Sequence, residues 1–320
     1  MVQSSIFKKA VRKVNTSSNF FRYSSPNTRE FYFNSRCFFG TNNLKNRINL
    51  GSYFSSLSTD FRIKDEEGYL VIPPFSISDI EESVAYAEEI FLEHHKQIMD
   101  EDPEHSKKYR KKNAPFYVLP ITKSEHDLNL NSPFMRLAMN SKILSIVSDY
   151  MGMMPIISSI GLWYSPNKQE KLESSSREFH LDHADVRQVK IFIAVDDIDK
   201  DTGPLLLVNS TNTSKVVSSI NYNLRAENKR VDDEVIEDIL GSNQINPMVG
   251  KSGSLIFADT SRCFHAGSRK ASKPRKIISI QYLSPYAFQY PLRGINNVAK
   301  YSKYAIGKST LLKLILGNHR

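Results

Sequence analysis

Apolar positions change their period along this chain, and each change marks an element. At residues 66–75 the segment EEGYLVIPPF reads as a short strand ended by two prolines. Ser78-Asp79-Ile80-Glu81 has the form of a capping box, and Ile80, Val84, Ala87, Phe91 and Ile98 then follow helical spacing, so this helix is expected to back a sheet. Residues 134–150, FMRLAMNSKILSIVSDY, predict a second helix stopped at Gly152, and PIISSIGLWYS from 155 predicts a strand. A polar stretch, NKQEKLESSSRE, leads from that strand to EFHLDHADVRQVKIFIAVDD, whose second half is strongly β-forming. Beyond it the pattern predicts strands at Leu205 to Val208 and Lys215 to Ile220, a helix at Asp232 to Leu240, and strands near Leu255 and Ile277. Many short β runs separated by turn residues predict a mainly β protein with flanking helices, a double-sheet jelly roll in place of a parallel sheet.

The chemistry concentrates around one of these strands. His180 and Asp182 are two residues apart in an extended segment, so they project to one side and can grip one ion. The candidate third ligand is His265, in GSLIFADTSRCFHAGS; Arg275 follows ten residues later and opens RKIISIQYL. In a jelly roll the ends of distant strands meet at one mouth, which is how His265 could reach a pair lying 85 positions earlier. Two imidazoles and one carboxylate hold Fe(II) on one triangular face and leave three positions open, as non-haem iron oxygenases require. HLDHAD also contains a second pair, His183 and Asp185, three residues on. An odd shift moves a pair to the other face of a strand, so only one pair can serve, and the first is favoured.

The block HLDHADVRQVKIFIAVDDIDKDTGPL, with SGSLIF, CFHAGS and PRKIISIQYL downstream and EEGYLVIPPFSISDIEESV upstream, resembles the phytanoyl-CoA dioxygenase family of Fe(II)/2-oxoglutarate-dependent oxygenases. The resemblance spans about Asp60 to Tyr290. It implies a cupin-like double-stranded β-helix, metal ligands at His180, Asp182 and His265, and Arg275 as the partner of the 2-oxoglutarate carboxylate. Asp185, Arg187 and Lys190 fall where the family has an acid, an arginine and a lysine after its ligands. The implied activity is hydroxylation of a C–H bond with Fe(II), 2-oxoglutarate and O2; retention of Asp182 argues against halogenation, which needs that position vacant. The chain departs from the family after its Gly-Pro turn, where GPLLLVNSTNTSK replaces a Gly-Ser-His segment at the substrate entrance.

Charge divides the chain. The first 60 residues carry nine basic residues against Glu30 and Asp60, a net +7; the rest carries 34 basic and 32 acidic residues, a net +2, which sums to the +9 of the whole. An oxygenase acting on nucleic acid would want a basic groove on its catalytic body, so a small-molecule substrate is the leading expectation. A jelly roll retained as a binding or regulatory protein is the other alternative, although such proteins typically lose a ligand or the arginine. Residues 1–59 are Ser-, Asn-, Arg- and aromatic-rich, with Ile6, Ala10, Val11 and Val14 on one side of a possible basic helix. Three readings stay open for them: an extension packed on the domain of a cytoplasmic protein, a mitochondrial transit segment, and a nucleic-acid arm. The expected organisation is this extension, an oxygenase domain over 60–290 and a basic helical tail over 291–320.

Cys37 and Cys263 are too few for a disulfide framework and suit a reducing compartment. No apolar run approaches the roughly 18 residues of a membrane span. Other motifs are discounted. His94, His95 and His105 lie among charged residues, and the DPEHSKKYRKKN stretch at 102–113 reads as a charged loop. AIGKST at 305–310 lacks the first glycine of a P-loop, Asp197, Asp199 and Asp201 lack the later ligands of a calcium loop, and the Asn209 and Asn212 sequons need a secretory signal.

Overall fold

A computed structural model of the chain describes residues 21–39, 44–57, 60–99, 117–119, 121, 129–166, 178–224, 230–267, 269, 271–291, 295 and 298–318. The basic helix expected around Ile6 to Val14, the charged loop at 102–113 with His105, the link over 167–177 and the side chain of His95 lie outside the described residues.

The most continuous apolar runs form the longest strands. β3 (Ile156–Ser165), β4 (Val189–Ala194) and β9 (Arg275–Leu283) pair antiparallel, with β9 in the middle. β1 (Tyr69–Ile72), β2 (Tyr117–Leu119) and β7 (Leu255–Ala258) complete a six-stranded sheet of order β1-β7-β4-β9-β3-β2. β5 (Leu205–Leu207), β6 (Asn246–Met248) and β8 (His265–Ala266) form a smaller sheet of order β6-β5-β8, extended by the antiparallel bridges His180↔His265 and Phe179↔Val231. Two antiparallel sheets facing each other, with helices outside, make the expected double-stranded β-helix.

Burial explains why the central strands show little alternation. Along β4, Ile191 and Ile193 join the core beneath the helices, while Phe192 and Ala194 join the cluster between the sheets with Leu205, Leu207 and Met248. A strand covered on both faces is apolar at every step. The outer face is covered by α3 (Ile80–Met99), α4 (Pro133–Ala138) and α5 (Ser141–Met151).

Three local expectations change. The single helix over 134–150 is two, because Asn140 interrupts it and caps α5 by accepting the amide of Lys142 at 3.0 Å; Gly152 ends α5 in the left-handed region, φ 69°, as expected. α3 starts at Ile80 with Asp79 at φ 70°, and the Ser78 hydroxyl accepts a bond from Asn140 Nδ2 at 2.9 Å. The strand expected over Lys215 to Ile220 is the end of a helix, α6 (Ser210–Ser219). Asn209 caps it by accepting the Asn212 amide at 2.8 Å, and Thr213 and Val216 are buried at helical spacing, so cap and packing override the β-branched pair Val216-Val217. The expected helix follows as α7 (Asp233–Leu240). Among the discounted motifs, Asp199 caps a short 3-10 turn at Lys200–Thr202, and Ser309 caps α8 (Thr310–Ile315).

The N-terminal region contributes α1 (Pro26–Phe39) and α2 (Leu44–Ser56). Gly51 lies where a Cβ would come within 2.8 Å of the Met153 backbone, so only glycine lets α2 approach the chain after α5 this closely. Their arginines face inward. Arg47 donates to the carbonyls of Met154 at 2.8 Å and Leu314 at 2.7 Å; Arg36 donates to those of Tyr286 at 2.7 Å, Ala287 at 3.1 Å and Tyr290. Burial lowers both guanidinium pKa values, that of Arg47 to about 9, and both remain cations at neutral pH. Among the described residues no helix is long and apolar enough to cross a membrane.

Arg36→Met keeps an unbranched apolar stem but leaves buried carbonyls without a donor. The expected loss is about 3 kcal/mol of unfolding free energy, with Arg36→Lys recovering only a minor part because it lacks the planar fork. Urea unfolding that left the midpoint unchanged in Arg36→Met would remove this contact as a source of stability.

Candidate metal centre

The site begins as a cross-strand pair. His180 donates its amide to the His265 carbonyl at 3.1 Å, and His265 returns the bond at 3.2 Å. Directly opposite residues of an antiparallel pair project to the same face, and the two imidazole centroids are 4.2 Å apart. Asp182, two residues on, is tied through its amide to the Thr260 carbonyl at 2.7 Å and turns its carboxylate to the same place. One potential ligand atom from each of His180, Asp182 and His265 lies within 4.8 Å of the others.

Each ring has its outer nitrogen occupied. His180 Nδ1 is 3.0 Å from the Glu178 carbonyl and His265 Nδ1 is 3.2 Å from the Cys263 carbonyl. A carbonyl only accepts, so each Nδ1 carries the proton and each Nε2 keeps a lone pair. His265 Nε2 lies 3.8 Å from Asp182 Oδ2. Burial, assisted by the neighbouring ring, holds the pKa of His180 well below the usual imidazole range, and burial pushes that of His265 down to about 4. Both are therefore neutral at pH 7, the form that binds a metal.

Asp182 has the opposite problem. Burial by itself would favour its neutral form, but Lys190 and the two imidazoles outweigh it and hold the carboxyl well below the usual range. Lys190 Nζ bonds Oδ2 at 2.6 Å and Gln188 Nε2 bonds it at 2.9 Å, while Gln188 also donates to Thr260 Oγ1 at 2.6 Å. Lys190 stands on β4, so the ion pair ties the ligand segment to the larger sheet. Two neutral nitrogens, each with the far ring nitrogen bonded, and one ionised carboxylate fit a divalent iron-group metal by the chemistry of the donors.

The second pair separates. The His183 ring lies 4.7 Å from that of Tyr23, whereas Asp185 is buried and accepts the amides of Val186 at 2.8 Å and Ser284 at 2.7 Å. Burial raises the Asp185 carboxyl to about 7, and burial lowers His183 to about 4. Arg275, at the start of β9, is buried; it donates to the Gly203 carbonyl at 2.6 Å, and a Cβ on Gly267 would lie 3.8 Å from its NH2. The guanidinium thus stands beside the chain two residues past His265. Burial lowers its pKa to about 10, which leaves it a cation at neutral pH. His94 lies on α3, outside the cluster.

Sequence reasoning missed Gln188 and Arg29, and placed Lys190 by resemblance without showing that Asp182 is its partner. Gln188 carries no sequence signal of its own. Lys190 had one, a lone cation inside the apolar run of β4, which points to a buried counter-charge. Arg29 of α1 was invisible: it donates to the carbonyls of Asp185 at 2.5 Å and Asp182 at 3.4 Å, fastening the N-terminal region to the ligand segment.

No family model and no curated protein sequence matches the chain. Solved structures similar to it include EctD from S. alaskensis, crystallised with 2-oxoglutarate and 5-hydroxyectoine, at 16% identity and TM-score 0.47 over 71% of this chain and 78% of that one. HygX from Streptomyces hygroscopicus, with nickel, 2-oxoglutarate and hygromycin B bound, is 17% identical with TM-score 0.42 over 69% and 84%. SnoK, a non-heme alpha ketoglutarate dependent carbocyclase from nogalamycin biosynthesis, is 15% identical with TM-score 0.40 over 68% and 80%.

Calorimetric titration with a divalent metal is expected to show one site that His180→Ala or His265→Ala abolishes, while His183→Ala changes its affinity by less than about tenfold. Abolition by His183→Ala alone would mean that the other pair grips the ion. Lys190→Met removes the cation that competes for Asp182. It is expected to destabilise the metal-free protein by about 3 kcal/mol while tightening metal binding several-fold; weaker binding would show that Lys190 supports the loaded site instead of opposing it.

Proposed function

We propose that this protein is an Fe(II)- and 2-oxoglutarate-dependent oxygenase that hydroxylates a C–H bond of a small molecule, as the resemblance to the phytanoyl-CoA dioxygenase family implies. The observation that carries the reading is the convergence of two imidazoles, each with Nε2 left available, and one ionised carboxylate within 4.8 Å, His265 buried and His180 and Asp182 partly exposed. Bound there, ferrous iron and 2-oxoglutarate supply an oxidation driven by loss of carbon dioxide from the cosubstrate.

The protein's own part is positional. The carbonyls of Glu178 and Cys263 fix which nitrogen each imidazole presents, and the exchanged backbone bonds of residues 180 and 265 fix the spacing of the rings. Lys190 and Gln188 keep Asp182 ionised and oriented. Arg275 receives the far carboxylate of 2-oxoglutarate. Its fork suits a two-bond contact with a carboxylate, and its burial strengthens a contact that would be weak in water.

Anaerobic addition of 2-oxoglutarate to the ferrous protein is expected to give the weak visible charge-transfer band of the chelate, followed, in a substrate screen under air, by coupled succinate release. Arg275→Ala is expected to leave iron binding intact and to raise the 2-oxoglutarate constant by about a hundredfold, with a modest rise for Arg275→Lys. Titration of the band in the three proteins measures it, and unchanged affinity in Arg275→Ala would take this residue out of the site and much of the cosubstrate assignment with it.

A further inference from the structure

One arginine beside the small sheet has no role in the scheme above. Phe179 and Val231 exchange backbone bonds at 3.1 and 2.9 Å as an antiparallel bridge. His180 is opposite His265, and His265 is opposite Leu207. Residues 207, 265 and 180 therefore form one row across neighbouring segments. Their sequence neighbours Phe179, Phe264 and Ala266 turn to the other face, into the cluster beneath α6 and α7. Val231 turns into that cluster, and Arg230, at the bend just before it, lies near enough to the ligand segment for Asp182 and Glu178 to act on its charge.

Its guanidinium carries buried donors. Nε and NH1 are shielded from solvent and have no hydrogen-bond partner among the described residues. A buried donor without a partner is costly, and two on one cation more so. The acids that support its charge are Asp182 and Glu178, together with the Tyr222 hydroxyl. Asp182 is already held by Lys190 and Gln188.

We infer that Arg230 receives an oxyanion of the substrate, a carboxylate or a phosphate group, and so presents to the metal a carbon close to an acidic end. The inference rests on the oxygenase reading for the word substrate. It is distinct from the role of Arg275, which stands on the larger sheet and takes the cosubstrate. A planar fork with adjacent Nε and NH donors matches two oxygens of one anion.

The test compares three probes sharing one ring: benzoate, phenyl phosphate and neutral benzamide. Calorimetry follows their binding to the full-length protein, both metal-free and loaded with Ni(II) and 2-oxoglutarate, which fills the Arg275 pocket. At least one oxyanion is expected to bind both forms about tenfold or more tightly than benzamide, and the tighter of the two names the substrate class. Arg230→Gln is expected to weaken that oxyanion by about tenfold to a hundredfold and to leave benzamide unchanged, with Arg230→Lys between. Should Arg230→Gln not fold, the same selective weakening in Arg230→Lys carries the test. Equal binding of the three probes, no oxyanion binding by the unmodified protein, or oxyanion affinity untouched by either Arg230 change would overturn the inference. Arg230-dependent oxyanion binding in a protein that takes no 2-oxoglutarate would sink the oxygenase reading and leave this inference standing.

Discussion

The exchanged backbone bonds between residues 180 and 265 are the constraint on which the rest of the site depends. They join a segment entering the β4 strand to one leaving β7, and they do so in a register that makes two imidazoles direct neighbours. A slip of one residue on either side would turn one ring into the opposite face. The register is protected by what lies behind it: Phe179, Phe264, Ala266 and Val231 form a buried cluster, so any slip would expose aromatic surface and bury polar groups. Each large side chain buried there is worth about 2 kcal/mol, so the apolar face enforces the polar one.

A carboxylate held in such an interior needs cations, and the fold supplies them from far apart. Lys190 reaches Asp182 from the larger sheet, and Arg29 reaches the backbone of the same segment from α1. The N-terminal arginines are a related device. Arg36 and Arg47 carry charge into the interior, where they donate to backbone carbonyls of Tyr286, Ala287, Met154 and Leu314. A guanidinium with five donors meets several carbonyls at once, which no neutral side chain does. The positive charge of this region is thus partly structural: three of its arginines are turned inward to carbonyls and away from solvent, where a phosphate would have to meet them.

Local sequence determined the parts of this protein that depend on spacing along the chain. Near-continuous apolar runs announced β3, β4 and β9 because both faces of those strands are covered. Gly152 announced the end of α5 because a left-handed residue is needed there. His180 and Asp182 were legible because a two-residue interval in extended chain puts both on one side, and His265 and Arg275 because of their order and the strands they begin.

Only the tertiary structure decided who stands opposite whom. His265 faces His180, Lys190 meets Asp182 and Arg29 clasps the ligand segment through strand register and helix docking, which join positions up to 156 residues apart and leave no trace in local spacing. The same holds where local preference lost. Val216 and Val217 favour a strand, but the Asn209 cap and the burial of Thr213 and Val216 beside the small sheet made a helix of them. Sequence spacing records which face a residue occupies; what that face meets is settled by packing, because the free energy of burial belongs to pairs of elements and to neither one alone.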